Sequence, residues 1–340
     1  VVANRTEVVK VLHDEAGKVC GVVAKDLLSG KEYTVKAKAV INAAGCFVDE
    51  VLQMDKPGEA KMVVPSQGVH IVLDMKFLQS DYAIMVPKTS DGRVLFAVPW
   101  HDKVVVGTTD IQRPTAESEP RPLDEEIDFI LNTAALYMNP APTRKDILSV
   151  FAGQRPLAAP KKEGKSSKEV SRSHKIIVSD NGLLTITGGK WTSYRLMAED
   201  TVDRAFEIMG MEFRKCPTRK MAIHGCRPNP DLSNHMYVYG SDEDAIRAMI
   251  ADSPSLGEPL SPKFGYTAAE VVWAVREEMA QTVEDVLARR VRLLFVDARE
   301  AQKAARRVAE VMAEEMGKDK AWIESQVEAF VKVSNNYIVC

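Results

Sequence analysis

Cysteine is scarce, net charge is small and no apolar run is long. The five cysteines (Cys20, Cys46, Cys216, Cys226, Cys340) are odd in number and scattered over 340 residues, which fits a reducing compartment better than a disulfide framework. Cys216 and Cys226 have His224 and His235 nearby, but the spacing matches none of the usual CxxC or HxxxH clips, so no metal is expected. With 45 Lys and Arg against 48 Asp and Glu, the formal charge is −3, and no nucleic-acid partner is expected. Lys161 to Ser173 gathers four lysines and an arginine without interleaved aromatics, the pattern of a solvated loop. Every apolar stretch falls short of the ~18 residues needed to cross a bilayer, and Val1-Val2-Ala3-Asn4-Arg5 has no signal-peptide layout. The expectation is a cytoplasmic chain without a transmembrane helix, in which the sequon Asn4-Arg5-Thr6 is idle. A GxGxxG fingerprint and a P-loop are also missing: Trp191 follows Gly189-Lys190, and no glycine stands five residues before Gly189. The chain opens in mid-pattern, in a strand with no first βαβ unit, and is expected to be a fragment of a longer polypeptide.

What is present is a globular composition, 45% apolar and 27% charged, with chain enough for two or three domains. Short strands are predicted over 6–13, 19–27 and 32–37, separated by turns at Asp14-Glu15-Ala16-Gly17 and Leu28-Ser29-Gly30-Lys31. A buried strand follows over 39–45, ending in small residues that let something approach the backbone. A second antiparallel sheet is predicted from strands at 69–73, 82–86, 94–99 and 104–108, with a helix over 123–137 whose acidic start suits the helix dipole. Further on, Val170 to Ser179 and Leu183 to Thr187 read as a hairpin. A two-residue Asn181-Gly182 loop would set Asp180 against Leu183 and Arg172 opposite about Trp191, bringing Arg172 and Lys190 to one end. The helix predicted over 191–209 then places Gly188-Gly189-Lys190 at a strand-to-helix turn. Beyond Gly210, apolar stripes at helical spacing predict about five helices, over 241–252, 267–280, 282–295, 297–316 and 319–333. Thr267/Glu270 and Thr282/Asp285 have capping-box spacing at two of their starts.

Asn42-Ala-Ala-Gly45, Pro65-Ser-Gln-Gly-Val-His70, Phe96-Ala-Val-Pro-Trp100, Gly107-Thr-Thr-Asp110, Gly153-Gln-Arg-Pro-Leu157, Ser171-Arg-Ser-His174, Gly188-Gly-Lys-Trp-Thr-Ser-Tyr-Arg195 and Val283-Glu-Asp-Val-Leu-Ala-Arg-Arg290 follow one another along the chain. In that order they resemble the FAD-dependent glycerol-3-phosphate dehydrogenases, of which the chain looks like the C-terminal two-thirds. Cys46-Phe47 departs from the family's Pro-Trp, as do Ser193 and Val291 from its commoner threonines, and none of these changes removes a charge. The resemblance implies oxidation of sn-glycerol 3-phosphate to dihydroxyacetone phosphate, hydride passing from C2 to flavin N5 and electrons to a quinone. It further implies a peripheral seat on the inner face of the membrane, and a possible homodimer.

The fold class implied is α+β: an α/β FAD-domain remnant plus an antiparallel substrate sheet, followed by an all-α C-terminal domain. The expected division is 1–48 and 150–212 for the FAD domain, whose site is incomplete in this chain, 49–149 for the substrate sheet with its helix, and 213–340 for the helical cap. For the substrate phosphate the candidates are Arg155, Arg172 and Lys190, since a dianion wants converging guanidinium and ammonium groups. His70 is the candidate proton acceptor, with Arg155 and Lys190 completing the catalytic set; His174 is a weaker competitor. Cofactor contacts are expected at Asn42, Ala44, Gly45, Gly188, Gly189, Lys190 and Thr192, where glycines let a flavin come close. Arg289 and Arg290, with Arg292, are expected to form inter-domain salt bridges. Two other readings stay open: a flavin oxidase of the same scaffold using O2, or acting on an amine, and a non-catalytic phosphate-binding or interaction fragment.

Overall fold

The computed structural model describes residues 1–90, 92–158 and 174–339. In chain order the strands are β1 (Thr6–His13), β2 (Val19–Asp26), β3 (Glu32–Lys36), β4 (Ile41–Asn42), β5 (Val63–Asp74), β6 (Ile84–Val86) and β7 (Leu95–Trp100). They continue as β8 (Lys103–Gly107), β9 (Ile111–Gln112), β10 (Ser149–Ala158), β11 (Lys175–Val178), β12 (Leu184–Thr187), β13 (Pro259–Ser261) and β14 (Phe264–Thr267). Helices are α1 (Val48–Asp55), α2 (Asp124–Ala134), α3 (Tyr194–Ile208), α4 (Glu243–Asp252), α5 (Ala268–Arg276), α6 (Leu293–Val296), α7 (Ala298–Met316) and α8 (Lys320–Ser334). None of the described helices is long and apolar enough to cross a membrane. The described residues group into two compact units.

Unit 1 comprises Val1–Gln67, Asp110–Ser118 and Gln154–Met221. Its first sheet is the expected antiparallel meander, in the order β1-β2-β3. The second has the order β11-β12-β4, with β4 parallel to β12 through Ile41↔Leu184 and Asn42↔Thr185. Leu52, Leu183 and Leu184 are buried here. Asp55, at the end of α1, joins the pieces: its carboxylate lies 2.8 Å from His13 Nε2 and accepts from Ser179 Oγ at 2.8 Å and Asn181 Nδ2 at 3.2 Å. Burial works to raise the Asp55 pKa, and these hydrogen bonds outweigh it and hold the group below its ordinary value.

The hairpin register differs from the sequence-based expectation by one residue. Val178 pairs with Leu184 and Lys175 with Thr187, while Ser179 N donates to Leu183 O. The loop therefore holds three residues, Asp180-Asn181-Gly182, and Gly182 supplies the left-handed conformation (φ +94°) that such a loop needs. A slip of one residue exchanges the two faces of a strand, so the pairing of Arg172 with Trp191 falls with the two-residue loop. Arg172 itself lies outside the described residues.

Unit 2 comprises Gly68–Thr109, Glu119–Gly153 and Ala222–Cys340. Strands run in the order β10-β5-β8-β7-β6, with β5 and β8 antiparallel from His70↔Gly107 to Asp74↔Lys103. Val69, Ile71 and Leu73 of β5 share a core with Ile127, Ile130, Leu131 and Ala134 of α2, strand alternation meeting helical spacing. The helical region is docked on this sheet by Ser149 Oγ, which donates to Leu294 O at 2.9 Å, and by Arg299, which donates to Ile147 O and Val339 O. Small buried residues on α7, among them Ala301, Ala304, Ala305 and Ala309, let α5 and α8 approach closely around Val308, Met312 and Phe330. Thr267/Glu270 caps α5 as its spacing predicts, with Thr267 N donating to Glu270 Oε2 at 2.6 Å.

The helix predicted over 282–295 is interrupted. Thr282 and Asp285 do form their capping pair, but Asp285–Arg290 then winds as a π turn and Arg292 takes the left-handed conformation (φ +59°) before α6 begins. The π-type bond from Val291 N to Val286 O, at 3.0 Å, leaves room for one extra residue per turn. A short β13–β14 hairpin, of which the helical periodicity shows no sign, also sits among these helices. Arg289 and Arg290, expected to bridge between domains, pair locally instead, Arg289 with Glu284 and Arg290 with Glu278.

Candidate active site

In unit 1 the end of β12 opens into a cavity of about 510 Å³. The strand is buried along its length and stops at Thr187, after which Gly188 (φ +75°) and Gly189 (φ +81°) turn the backbone through conformations closed to most side chains. Lys190 caps a 3-10 turn over Trp191–Ser193, and α3 starts at Tyr194. The residues α3 presents to the cavity, Tyr194, Met197, Ala198, Thr201 and Val202, follow helical spacing. A Cβ on Gly189 would stand 2.5 Å from Met197 Sδ and 3.3 Å from His174 Cβ, so the close approach that glycine permits is used. Thr187 Oγ1 is buried and has no hydrogen-bond partner among the described residues.

Of the expected cofactor contacts, Gly45, Gly188, Gly189 and Lys190 line this cavity. Asn42, Ala44 and Thr192 do not. Asn42 is buried, donates to Val48 O at 2.9 Å and accepts from Ala44 N at 3.3 Å, so it shapes the turn that presents Gly45. Ala44 caps that turn, and Thr192 is exposed on the 3-10 turn. Cys46, where the family has proline, donates its thiol to Gln154 O at 3.3 Å, and burial pushes its pKa up, so it is a neutral packing group. Trp191, Tyr194, Met197 and Thr201 are lining residues that motif reading missed. Tyr194, Met197 and Thr201 stand at i, i+3 and i+7, a spacing visible in the sequence, but helical periodicity alone does not say whether a face meets a core or a cavity.

The cations divide. Lys190 is exposed at the cavity and makes no side-chain hydrogen bond or ion pair among the described residues. Arg155 is half-buried on β10, next to Pro156, which lines the cavity. His174 lies 2.8 Å from Asp200 and is held there.

His70 belongs to unit 2. It is half-buried on β5, stacked on Phe151 with centroids 5.4 Å apart. Gly107 lies opposite, where a Cβ would come within 2.4 Å of His70 Cδ2. The strand is fixed at this point by a buried relay: Val69 N donates to Thr109 Oγ1 at 2.9 Å, and that hydroxyl donates to Glu126 Oε1 at 2.6 Å. Glu126 Oε2 in turn accepts from Leu123 N, so the residue that caps α2 also anchors the backbone beside His70.

A family model described as FAD dependent oxidoreductase matches residues 1–195, over half of the chain. The chain belongs to the FAD-dependent oxidoreductase family. A second model, described as the C-terminal domain of alpha-glycerophosphate oxidase, matches residues 204–323. A probable mitochondrial glycerol-3-phosphate dehydrogenase of Caenorhabditis elegans is 37% identical over 96% of this chain and 48% of its own length. The mitochondrial glycerol-3-phosphate dehydrogenase of Arabidopsis thaliana is 36% identical over 94% of the chain and 56% of its own length. This chain therefore spans about half the length of these curated relatives. The structure of the glycerol-3-phosphate dehydrogenase from Bacillus halodurans, complexed with FAD, superposes with a TM-score of 0.83 at 29% identity, covering 99% of this chain and 69% of that one. The resemblance drawn from the motifs and the α+β class are both borne out.

For a member of this family, the cavity in unit 1 passes a test of fit. A planar, largely apolar ring system needs side-chain-free backbone and apolar cover, and Gly188, Gly189, Met197 and Tyr194 all line this cavity. The unpartnered hydroxyl of Thr187 supplies a hydrogen-bonding group for a polar ring edge. Gly45, Thr187, Gly188 and Gly189 are the residues that would hold the flavin.

Proposed function

We propose that the protein of which this chain forms part oxidises sn-glycerol 3-phosphate to dihydroxyacetone phosphate, with FAD as the electron acceptor. The observation that carries the reading is the glycine-walled cavity of unit 1 in a chain so similar to FAD-linked glycerol-3-phosphate dehydrogenases. When bound, FAD supplies a two-electron acceptor that no side chain of the protein can replace.

The chain's own residues supply binding and proton handling. Arg155 and Lys190 are the proposed partners of the substrate phosphate, Arg through paired donors and Lys as a point charge; Arg172 is proposed to join them. His70 is the proposed acceptor of the C2 hydroxyl proton, since an imidazole near neutrality exists largely in the form that can take it. Stacking on Phe151 and the close contact with Gly107 fix its ring plane. The quinone acceptor, the peripheral seat on the inner membrane face and the homodimer are parts of this proposal that rest on the resemblance alone.

The test is turnover of glycerol 3-phosphate by the FAD-loaded protein with an artificial electron acceptor. Lys190→Met should raise KM for glycerol 3-phosphate about tenfold or more while leaving FAD retention unchanged, the effect of removing one charge-assisted contact. An unchanged KM would remove Lys190 from the phosphate site. An oxidase is the second reading, favoured by the name of the C-terminal family model; hydrogen peroxide formed in step with substrate would select it.

A further inference from the structure

Unit 2 contains a second cavity, of about 180 Å³, that the proposed dehydrogenase chemistry does not use. Its walls come from the β7–β8 turn, the segment around His235, α5 and the π turn with its exit. His101, His235, Glu270, Glu278, Arg290 and Arg292 all reach it. Two wall residues, and two chain neighbours of wall residues, hold backbone conformations that cost energy outside glycine. His101 (φ +47°) and Asp102 (φ +57°) form a two-residue hairpin turn of the kind that favours Asn-Gly, and Met279 (φ +58°) and Arg292 (φ +59°) are left-handed as well. Together with the π turn Asp285–Arg290, these outliers cluster around one small space, a pattern that marks functional sites.

Charge pairing there is incomplete. Glu270 is buried and lies 3.1 Å from His235 Nε2, so these two satisfy one another. Arg290 donates to Glu278 O at 2.5 Å, with its Nε 3.4 Å from Glu278 Oε2. Arg289 is turned to Glu284 and Asp285. Left over are Arg292, whose guanidinium makes no hydrogen bond or ion pair among the described residues, and His101, whose ring only packs edge-on against Trp100. Burial lowers the pKa of His101, and the Arg292 charge lowers it further, against the opposing pull of Asp102. Arg292 thus reaches the cavity with no ion-pair partner among the described residues, beside a His101 ring that makes no hydrogen bond there. Glu278 Oε2 is buried with no hydrogen bond beyond its 3.4 Å ion pair with Arg290 Nε, and burial raises that carboxyl's pKa against the pull of Arg290.

We propose that this cavity is a binding site for a small oxyanion, held between Arg292 and His101. Arg292 supplies paired N–H donors and His101 an N–H that becomes charged on binding. The anion would reverse the repulsion between Arg292 and His101, so binding raises the His101 pKa and tightens as pH falls. Tyr239, Tyr266, His235, Glu270, Glu278, Arg289 and Arg290 are the other titratable or charged groups that line the cavity, and Asp102 acts on His101 from beside it. Neither Arg155 nor Lys190 is among the residues that line it.

The chain has six histidines, so ring-labelled histidine NMR can follow His101 while inorganic phosphate is added, with acetate and chloride in parallel at matched ionic strength. Saturable movement of the His101 and His235 signals with phosphate, an upward shift in the His101 pKa, and a loss of affinity of about tenfold or more in Arg292→Asn are the expected results. Asparagine tolerates the left-handed backbone, so the variant tests the guanidinium rather than the turn. Equal response to acetate would identify a carboxylate-bearing molecule as the source of the oxyanion; response to phosphate alone, a phosphate or phosphate ester. Lys190→Met should leave the His101 response intact, which separates this site from the proposed substrate site. The inference is overturned if the wild-type His101 signal moves no more with either oxyanion than with chloride, or if Arg292→Asn responds as the wild type does.

Discussion

Gly107 faces His70 across two strands, and its hydrogen atom occupies a place where a methyl carbon would meet the imidazole at 2.4 Å and Val69 O at 2.8 Å. Gly107→Ala should therefore cost about 1–3 kcal/mol by overpacking and displace the ring from Phe151. Urea denaturation measures the first, and a near-wild-type midpoint would show that the ring is not pinned. Glu300 makes a different residue-scale prediction. Its buried carboxylate is held chiefly by Lys303 at 2.7 Å, against the effect of burial, with Lys263 and Ser261 adding hydrogen bonds, and its pKa falls from 4.5 to about 2. A carboxylate whose folded pKa is depressed stabilises the fold fully above its unfolded value, and that contribution is lost as pH falls from 4.5 through about 2. The urea midpoints of wild type and Glu300→Gln should thus differ at neutral pH and converge towards the acid end. A gap that stays constant over that window would contradict the assignment.

At the scale of elements, Glu126 serves two at once. It caps α2 through Leu123 N and anchors β5 through Thr109 and Val69. Glu126→Ala removes both and leaves buried donors without partners, for an expected loss of about 1–3 kcal/mol, larger than the ~1 kcal/mol typical of a lost cap. Comparing its urea midpoint with that of Thr109→Val separates the two roles, since the valine leaves the cap intact. The acidic start of α2 was legible in the sequence, but the side-chain contact to β5 was not, because it joins residues brought together only by the tertiary fold. The capping boxes of α5 and the π turn were legible for the complementary reason that both partners lie within three residues. What local pattern could not supply was the count of residues in the turn at Gly182 and the left-handed exit at Arg292. Each adds or removes one residue of phase, and apolar periodicity tolerates either.

At the scale of the whole molecule, motif order identified the family, while the lining of the proposed flavin cavity needed the fold. Gly45, Gly188, Gly189 and Lys190, named by motif, line the cavity, whereas Asn42 shapes the turn and Trp191, Tyr194 and Met197 supply the apolar cover. The central claim is that this cavity holds the flavin, and titration of the 340-residue chain with FAD tests it most directly. Trp191, exposed at the rim, reports through its fluorescence alongside that of the flavin. Saturable quenching of both, abolished in Gly189→Val while far-ultraviolet circular dichroism stays native, is the predicted result. A folded wild-type chain whose signals ignore FAD, or a valine variant that binds as tightly as wild type, would contradict it.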